Sequence, residues 1–246
     1  MNRGLWTIAS GGVAALARLD AAAQNLANVN TAGYKAVRPQ FQLRPLGGGP
    51  GGSTDPVLAA TTAQVVQTGT AYDFSPGPVR ATGNPLDVAL TGDEWFVVNT
   101  KSGERYTRQG SFTLDAEGYL VTEHGDRVQG DGGDLQVGAG EVTISGNGAI
   151  QLDGLEKGRL RLVRFGPQPG LVPEGATLFR AAAGGAQTVE AREVRVVPAA
   201  LEFANVDAVK GLIELVDVSR GFEAYMNAIR NFDDLTKKSI SDVGRF

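Results

Sequence analysis

QNLANVNTAGYK, residues 24–35, closes an alanine-rich run, and ANVDAVKG, residues 204–211, opens a second amphipathic run toward the other end of the chain. What these two asparagine-bearing stretches do decides the fold. Asparagine is a mediocre residue inside a helix but serves well at helix ends and in left-handed turns, because its short amide bonds nearby backbone groups. Asn25, Asn28 and Asn30, followed by Gly33, Tyr34 and Lys35, therefore read as a helix end and an outward turn. Asn205 and Val206 read as the return. The pair is expected to form two hinges, at which the chain leaves and re-enters a helical layer.

Working back from the first motif, Leu5, Ile8, Gly12, Leu16, Leu19, Ala23 and Leu26 step by three or four, and the pattern runs straight through Arg18 and Asp20. That spacing, in a segment rich in the best helix former, predicts an amphipathic helix from about residue 4 to residue 28. Arg3 and the mostly apolar Gly4–Ala17 stretch have the outline of a secretory signal. A cleaved signal, however, has no reason to keep a helical stripe beyond its cleavage site. No run approaches the ~18 uninterrupted apolar residues of a membrane span, so no membrane insertion is expected.

Working forward from the second motif, residues 206–238 contain no proline. Leu212, Leu215, Phe222, Tyr225, Ile229 and Phe232 fall on one helical face, which Val209, Ile213, Val216 and Met226 widen. A face this broad exceeds a two-helix seam and implies several helical neighbours. Asn205 is the expected N-cap, with Asp207 well placed for the helix dipole. Isolated helices of this length are marginal in water, so the two must find each other or another subunit. A terminal helix folded onto its own domain is the plainer alternative.

Between the helices the texture changes. GGGPGGSTDP at 47–56 reads as a connector; a phosphate loop would need Lys followed by Ser or Thr after its glycines. From about Thr82 to Pro198, runs such as WFVVNT, YLVTEHG and RLRLVRF alternate with turn signals. DAEG at 115–118 and SGNG at 145–148 each separate two short β runs and predict hairpins. The expected class is α+β: an assembly domain made of 1–40 and 201–246, an extended connector over 41–81, and a mostly antiparallel β domain over 82–200.

Composition excludes more than it proposes. A net charge of −4 with scattered basic residues offers no nucleic-acid footprint. The chain has no cysteine and one histidine, His124, so a nitrogen- or sulfur-ligated metal site cannot be built. Asp131 and Asp134 in GDGGD could offer oxygen ligands but read better as a solvated turn. Adjacent Asp93 and Glu94 would point to opposite faces of a strand and could not share a substrate. No serine sits in a G-x-S-x-G elbow. The expectation is no enzyme and no cofactor.

Four blocks in order, NLANVNTAGYK at 25–35, TGNPLDVALTGDEWFVV at 82–98, YTRQGSFTLDAEGYLVTEHGDRVQG at 106–130 and LEFANVDAVKGLIELVDVSRGFEA at 201–224, closely resemble the bacterial flagellar basal-body rod and hook family of axial proteins. Within that family the short chain looks most like the proximal rod protein placed next to the distal rod, with the distal rod protein second. Two positions depart from the usual pattern: Glu94, where many relatives have Gly, and Ala204, where serine is more usual. The resemblance implies a motility protein exported without a cleaved signal by the flagellar export apparatus. It implies a helical polymer with other rod subunits in the basal-body rod across the periplasm, transmitting torque from motor to hook. The terminal helices would line the inner tube, with Leu5, Ile8, Leu16, Leu19 and Leu26 and the Leu212–Phe232 stripe as its interface.

Overall fold

The protein is described by a computed structural model over residues 3–45, 63–166, 170–175, 177–182, 189–190 and 195–243. The connector read at 47–56 lies outside these residues. The chain divides into two units: a helical unit of residues 1–27, 36–73 and 206–246, and a β unit of residues 28–35 and 74–205.

In the helical unit, α1 (Arg3–Ala27) packs against α2 (Ala208–Val243) and against a two-stranded arm, β1 (Val37–Pro45) and β2 (Ala63–Tyr72). A Cβ on Gly11 would lie 2.6 Å from the Tyr225 ring, and one on Gly211 3.8 Å from Leu26, so the contacts run in opposite order and the helices are antiparallel. The buried face of α1 is made of small residues, Gly11, Gly12, Ala15, Ala21 and Ala22, which allow this close approach. The arm is antiparallel, with a register shift between Gln40 and Phe41. Thr68 is the extra residue of that bulge, and its hydroxyl donates to the Gln40 carbonyl.

The arm revises the expected connector over 41–81, since residues 41–45 and 63–72 are paired strands. Val37, Phe41 and Leu43 do alternate with polar residues, but Pro39 and Pro45 argue against a strand. They are tolerated because the sheet has two strands among the described residues, so each strand has an outer edge at which a proline takes no ladder bond away.

The β unit begins with β3 (Val79–Ala81) and β4 (Val88–Leu90), then β5 (Glu94–Thr100), β6 (Gly103–Thr107), β7 (Phe112–Leu114), β8 (Leu120–Thr122) and β9 (Arg127–Gly130). A further strand, β10 (Gly133–Asp134), pairs with β9. β11 (Val142–Ile144), β12 (Ala149–Leu152) and β13 (Leu155–Arg159) form a separate meander. β14 (Leu162–Arg164), β15 (Leu171–Pro173), β16 (Leu178–Ala181) and β17 (Val189–Glu190) complete the main sheet, whose central order is β15-β16-β6-β5-β9-β8-β7. β18 (Val196–Pro198) pairs with β4, and β19 (Ala200–Glu202) with β3.

All these pairings are antiparallel, and the class is α+β. Both expected hairpins are present, with Leu114 opposite Leu120 and Ile144 opposite Ile150. The first turns on Gly118, whose φ of 80° suits glycine, while the Asp115 carboxylate accepts from the Glu117 and Tyr119 amides. Phe96 and Phe112, with ring centroids 5.2 Å apart at 86°, stand in a core that includes Val88, Leu90, Leu120, Val128 and Ile150.

Candidate assembly surface and hinge

The apolar stripes of the two helices are divided between packing and water. Leu5, Ile8, Leu19, Leu26, Leu215, Phe222, Ile229 and Phe232 are half-buried, whereas Leu16, Leu212 and Tyr225 are exposed. Tyr225 nevertheless lies over Gly11 and Gly12, so it also serves the helix pair. The most exposed apolar set was only partly named by the sequence reading. It comprises Trp6 (67% exposed), Val13 and Leu16 on α1, and Val209, Leu212 (51%), Ile213 and Val216 in the first turns of α2, with Leu235 exposed separately further along α2. Each set follows helical spacing, so each forms a continuous stripe.

The helix ends differ in detail from expectation. Asp207, not Asn205, caps α2: its Oδ1 accepts from the Val209 amide at 2.9 Å and the Lys210 amide at 3.1 Å, the N2 and N3 donors. Asn205 lies further upstream, where its Nδ2 donates to the Ser75 carbonyl at 3.2 Å and hydroxyl at 3.1 Å. Asn25 acts within the helical unit, its amide both donating to the Val37 carbonyl at 2.9 Å and accepting from the Val37 amide at 2.8 Å. The side chain thus stands in for a neighbouring strand and fixes the start of β1.

After Ala27 the chain turns on Asn28, whose carbonyl accepts from the Thr31 amide at 3.0 Å and whose side chain accepts from the Thr31 hydroxyl at 3.2 Å. Neither Asn28 nor Asn30 takes the left-handed conformation. Gly33 takes it, at φ 69°, and a Cβ there would fall 2.2 Å from the Gln109 amide nitrogen. The Gly33 amide donates to the Glu202 carbonyl at 2.7 Å, and Tyr34 is buried. Val206 is half-buried.

Sequence reasoning missed what lies beneath this turn. The Glu202 carboxylate, 1% exposed, accepts from Lys35 Nζ at 2.7 Å, from the Gly77 amide at 2.9 Å and from an Arg108 terminal nitrogen at 3.2 Å. Lys35 Nζ also donates to the Ser75 carbonyl at 2.8 Å. The Arg108 guanidinium stacks 5.2 Å from the Trp95 ring centroid. The available signal was a lone charge, Glu202, between Leu201 and Phe203.

The acidic candidates have structural partners. Glu94 is buried and pairs with Arg164, and Asp93 is exposed. Burial pushes the Asp134 carboxyl up, but hydrogen bonds from Gln129, Arg127 and Asn99 outweigh it and hold the group below its ordinary value. Glu174 is likewise lowered, first by the hydrogen bond from Arg105 and then by Arg180. His124 is exposed in the turn between β8 and β9. Among the described residues, no group of three or more His, Cys, Asp or Glu side chains is placed to hold a metal ion. Among them too, no helix is long and apolar enough to cross a membrane.

Residues 7–35, spanning most of α1 and the turn, match the family described as flagella basal body rod protein. Residues 89–152 match the flagellar hook protein FlgE/F/G D1 domain, and residues 197–242 the flagellar basal body rod FlgEFG protein C-terminal family. The flagellar basal-body rod protein FlgF of Rhizobium meliloti is 32% identical, over 99% of each chain. The chain belongs to the flagellar basal-body rod protein family. Other members similar to it are FlgF of Caulobacter vibrioides, 30% identical over 92% of each chain, and FlgG of the same organism, 33% identical over 94% of this chain and 95% of that one. As a rod-family chain it is a structural protein of the bacterial flagellum, and the blocks matched at both ends contain most of the two helices and the turn after α1.

Proposed function

We propose that this chain is a rod subunit of the FlgF kind that polymerises helically with copies of itself and with other rod subunits, carrying torque from motor to hook. The observation that carries the reading is the pair of exposed apolar stripes on α1 and α2, left over after the helices have packed on each other. Burying one such large side chain contributes on the order of 1.5–3 kcal/mol, and several together can hold a neighbour. Contacts between unlike surfaces that do not close into a ring generate an open helical filament. The interface is therefore assigned first to Trp6, Val13, Leu16, Val209, Leu212, Ile213 and Val216. The half-buried Leu5, Ile8, Leu19, Leu26, Leu215, Phe222, Ile229 and Phe232 support the helices that present it. The same reading places the subunit in the rod across the periplasm, delivered by the flagellar export apparatus with its N-terminus intact.

The test uses purified full-length chain and the Leu212→Asp/Val216→Asp double variant, compared by sedimentation velocity and electron microscopy. Self-association that grows with concentration is expected for the first and monomer for the second, with equal helical circular dichroism. A double variant that polymerises like the parent would overturn the assignment. A second reading, a FlgG-type subunit, draws on the 33% identity to the Caulobacter vibrioides FlgG. Complementation of motility in strains lacking either relative separates the two.

A further inference from the structure

The chain passes between its units after Ala27, Lys35, Asp73 and Asn205. Within the β unit, the residues beside three of these points are tied together. Lys35 and Gly77 bond the Glu202 carboxylate, Lys35 and Asn205 bond the Ser75 carbonyl, and the Gly33 amide bonds the Glu202 carbonyl. We infer that Glu202 is a latch: its ionised carboxylate holds the segment 28–35 docked on the β unit, and its loss releases that segment as a free loop while the β core stays folded.

The charge balance carries the argument. Lys35, Arg108 and Glu202 are all buried, and the one Glu202 carboxylate pairs with both cations. Arg108 Nε has no hydrogen-bond partner among the described residues, and Asp93, which lines the cleft beside Arg108, is exposed to water. Removing the shared carboxylate takes from both buried cations the anion that they share. Lys35 then gains most by returning to water, and it can do so because it sits at the end of a short segment. Asn28, Asn30 and Thr31 bring little apolar surface to hold the segment, and Tyr34 is its one large buried ring. None of these residues belongs to the core cluster around Phe96. The device therefore has two states, with residues 28–35 either docked on the β unit or released as a loop between Ala27 and Ala36.

The test is hydrogen exchange of the full chain, read by mass spectrometry, for the parent and Glu202→Gln. In the variant, exchange over residues 28–36 is expected to accelerate by about tenfold or more, with β5, β8 and β9 within about twofold of the parent, the pattern of local opening. Unchanged protection of 28–36 would overturn the latch, as would uniform acceleration across the β unit, which would make the cluster an ordinary part of the core. If Glu202→Gln does not fold, Glu202→Asp answers the same question. Its carboxylate stays ionised but stands one methylene short of Lys35, and it must still open 28–36 selectively for the latch to stand.

Discussion

Gly33 shows how much a single position can demand. It adopts a left-handed conformation and has a backbone amide against the place where a Cβ would stand. Gly33→Ala should therefore cost about 2–4 kcal/mol, combining conformational strain with overpacking against backbone that cannot yield. Urea unfolding of the β unit would measure it, and a loss well under 1 kcal/mol would show that the turn simply moves away. Asp134 makes a prediction in pH. Its folded-state carboxyl lies below the ordinary value of 3.8, so the stability it contributes is complete above about pH 4 and is lost as pH falls through the lower folded value. Asp134→Asn should flatten the fall in urea midpoint between about pH 5 and pH 3 relative to the parent. Residues such as Gly33 and Tyr34 were legible as a turn because turn chemistry is local. Lys35 was not legible as a buried cation, because its partner is 167 positions away and no local pattern encodes that distance.

Among the elements, α1 and α2 were readable from their apolar period, and their observed limits fall within a few residues of expectation except at the end of α2. The cap of α2 was misplaced because Asn205 and Asp207 are both good N-cap residues and the sequence cannot say which meets the free amides. Asp207→Ala should cost about 1 kcal/mol of helical-unit stability. Asn205→Ala should leave that unit unchanged, and calorimetry on the two variants would distinguish them. The face by which α1 packs was also partly hidden. Period analysis gives weight to leucine and isoleucine, whereas the contact with Tyr225 is made at Gly11 and Gly12, which carry almost no hydrophobic signal. The arm was obscured by prolines in β1 and by β2, AQVVQTGTAY, in which apolar and polar residues do not alternate cleanly.

At the scale of the whole molecule, the division into two units predicts that they can be destabilised separately. Phe96→Ala should cost the β unit about 3–5 kcal/mol while leaving the helical far-ultraviolet signal in place to the same temperature as the parent. A single coincident loss of both signals would show one cooperative block instead. If the chain polymerises as proposed, the two-stranded arm bears on a hazard of any such assembly. Its exposed edges could recruit further strands without limit, and such stacking would compete with ordered growth through the helices. The bulge opposite Gln40, the prolines at 39 and 45, and the arginines at 38 and 44 break the run of free amides and charge the edge. The arm is in this sense quarantined: growth by its edges is closed off, which on the proposed reading leaves the helical stripes as the route to a filament.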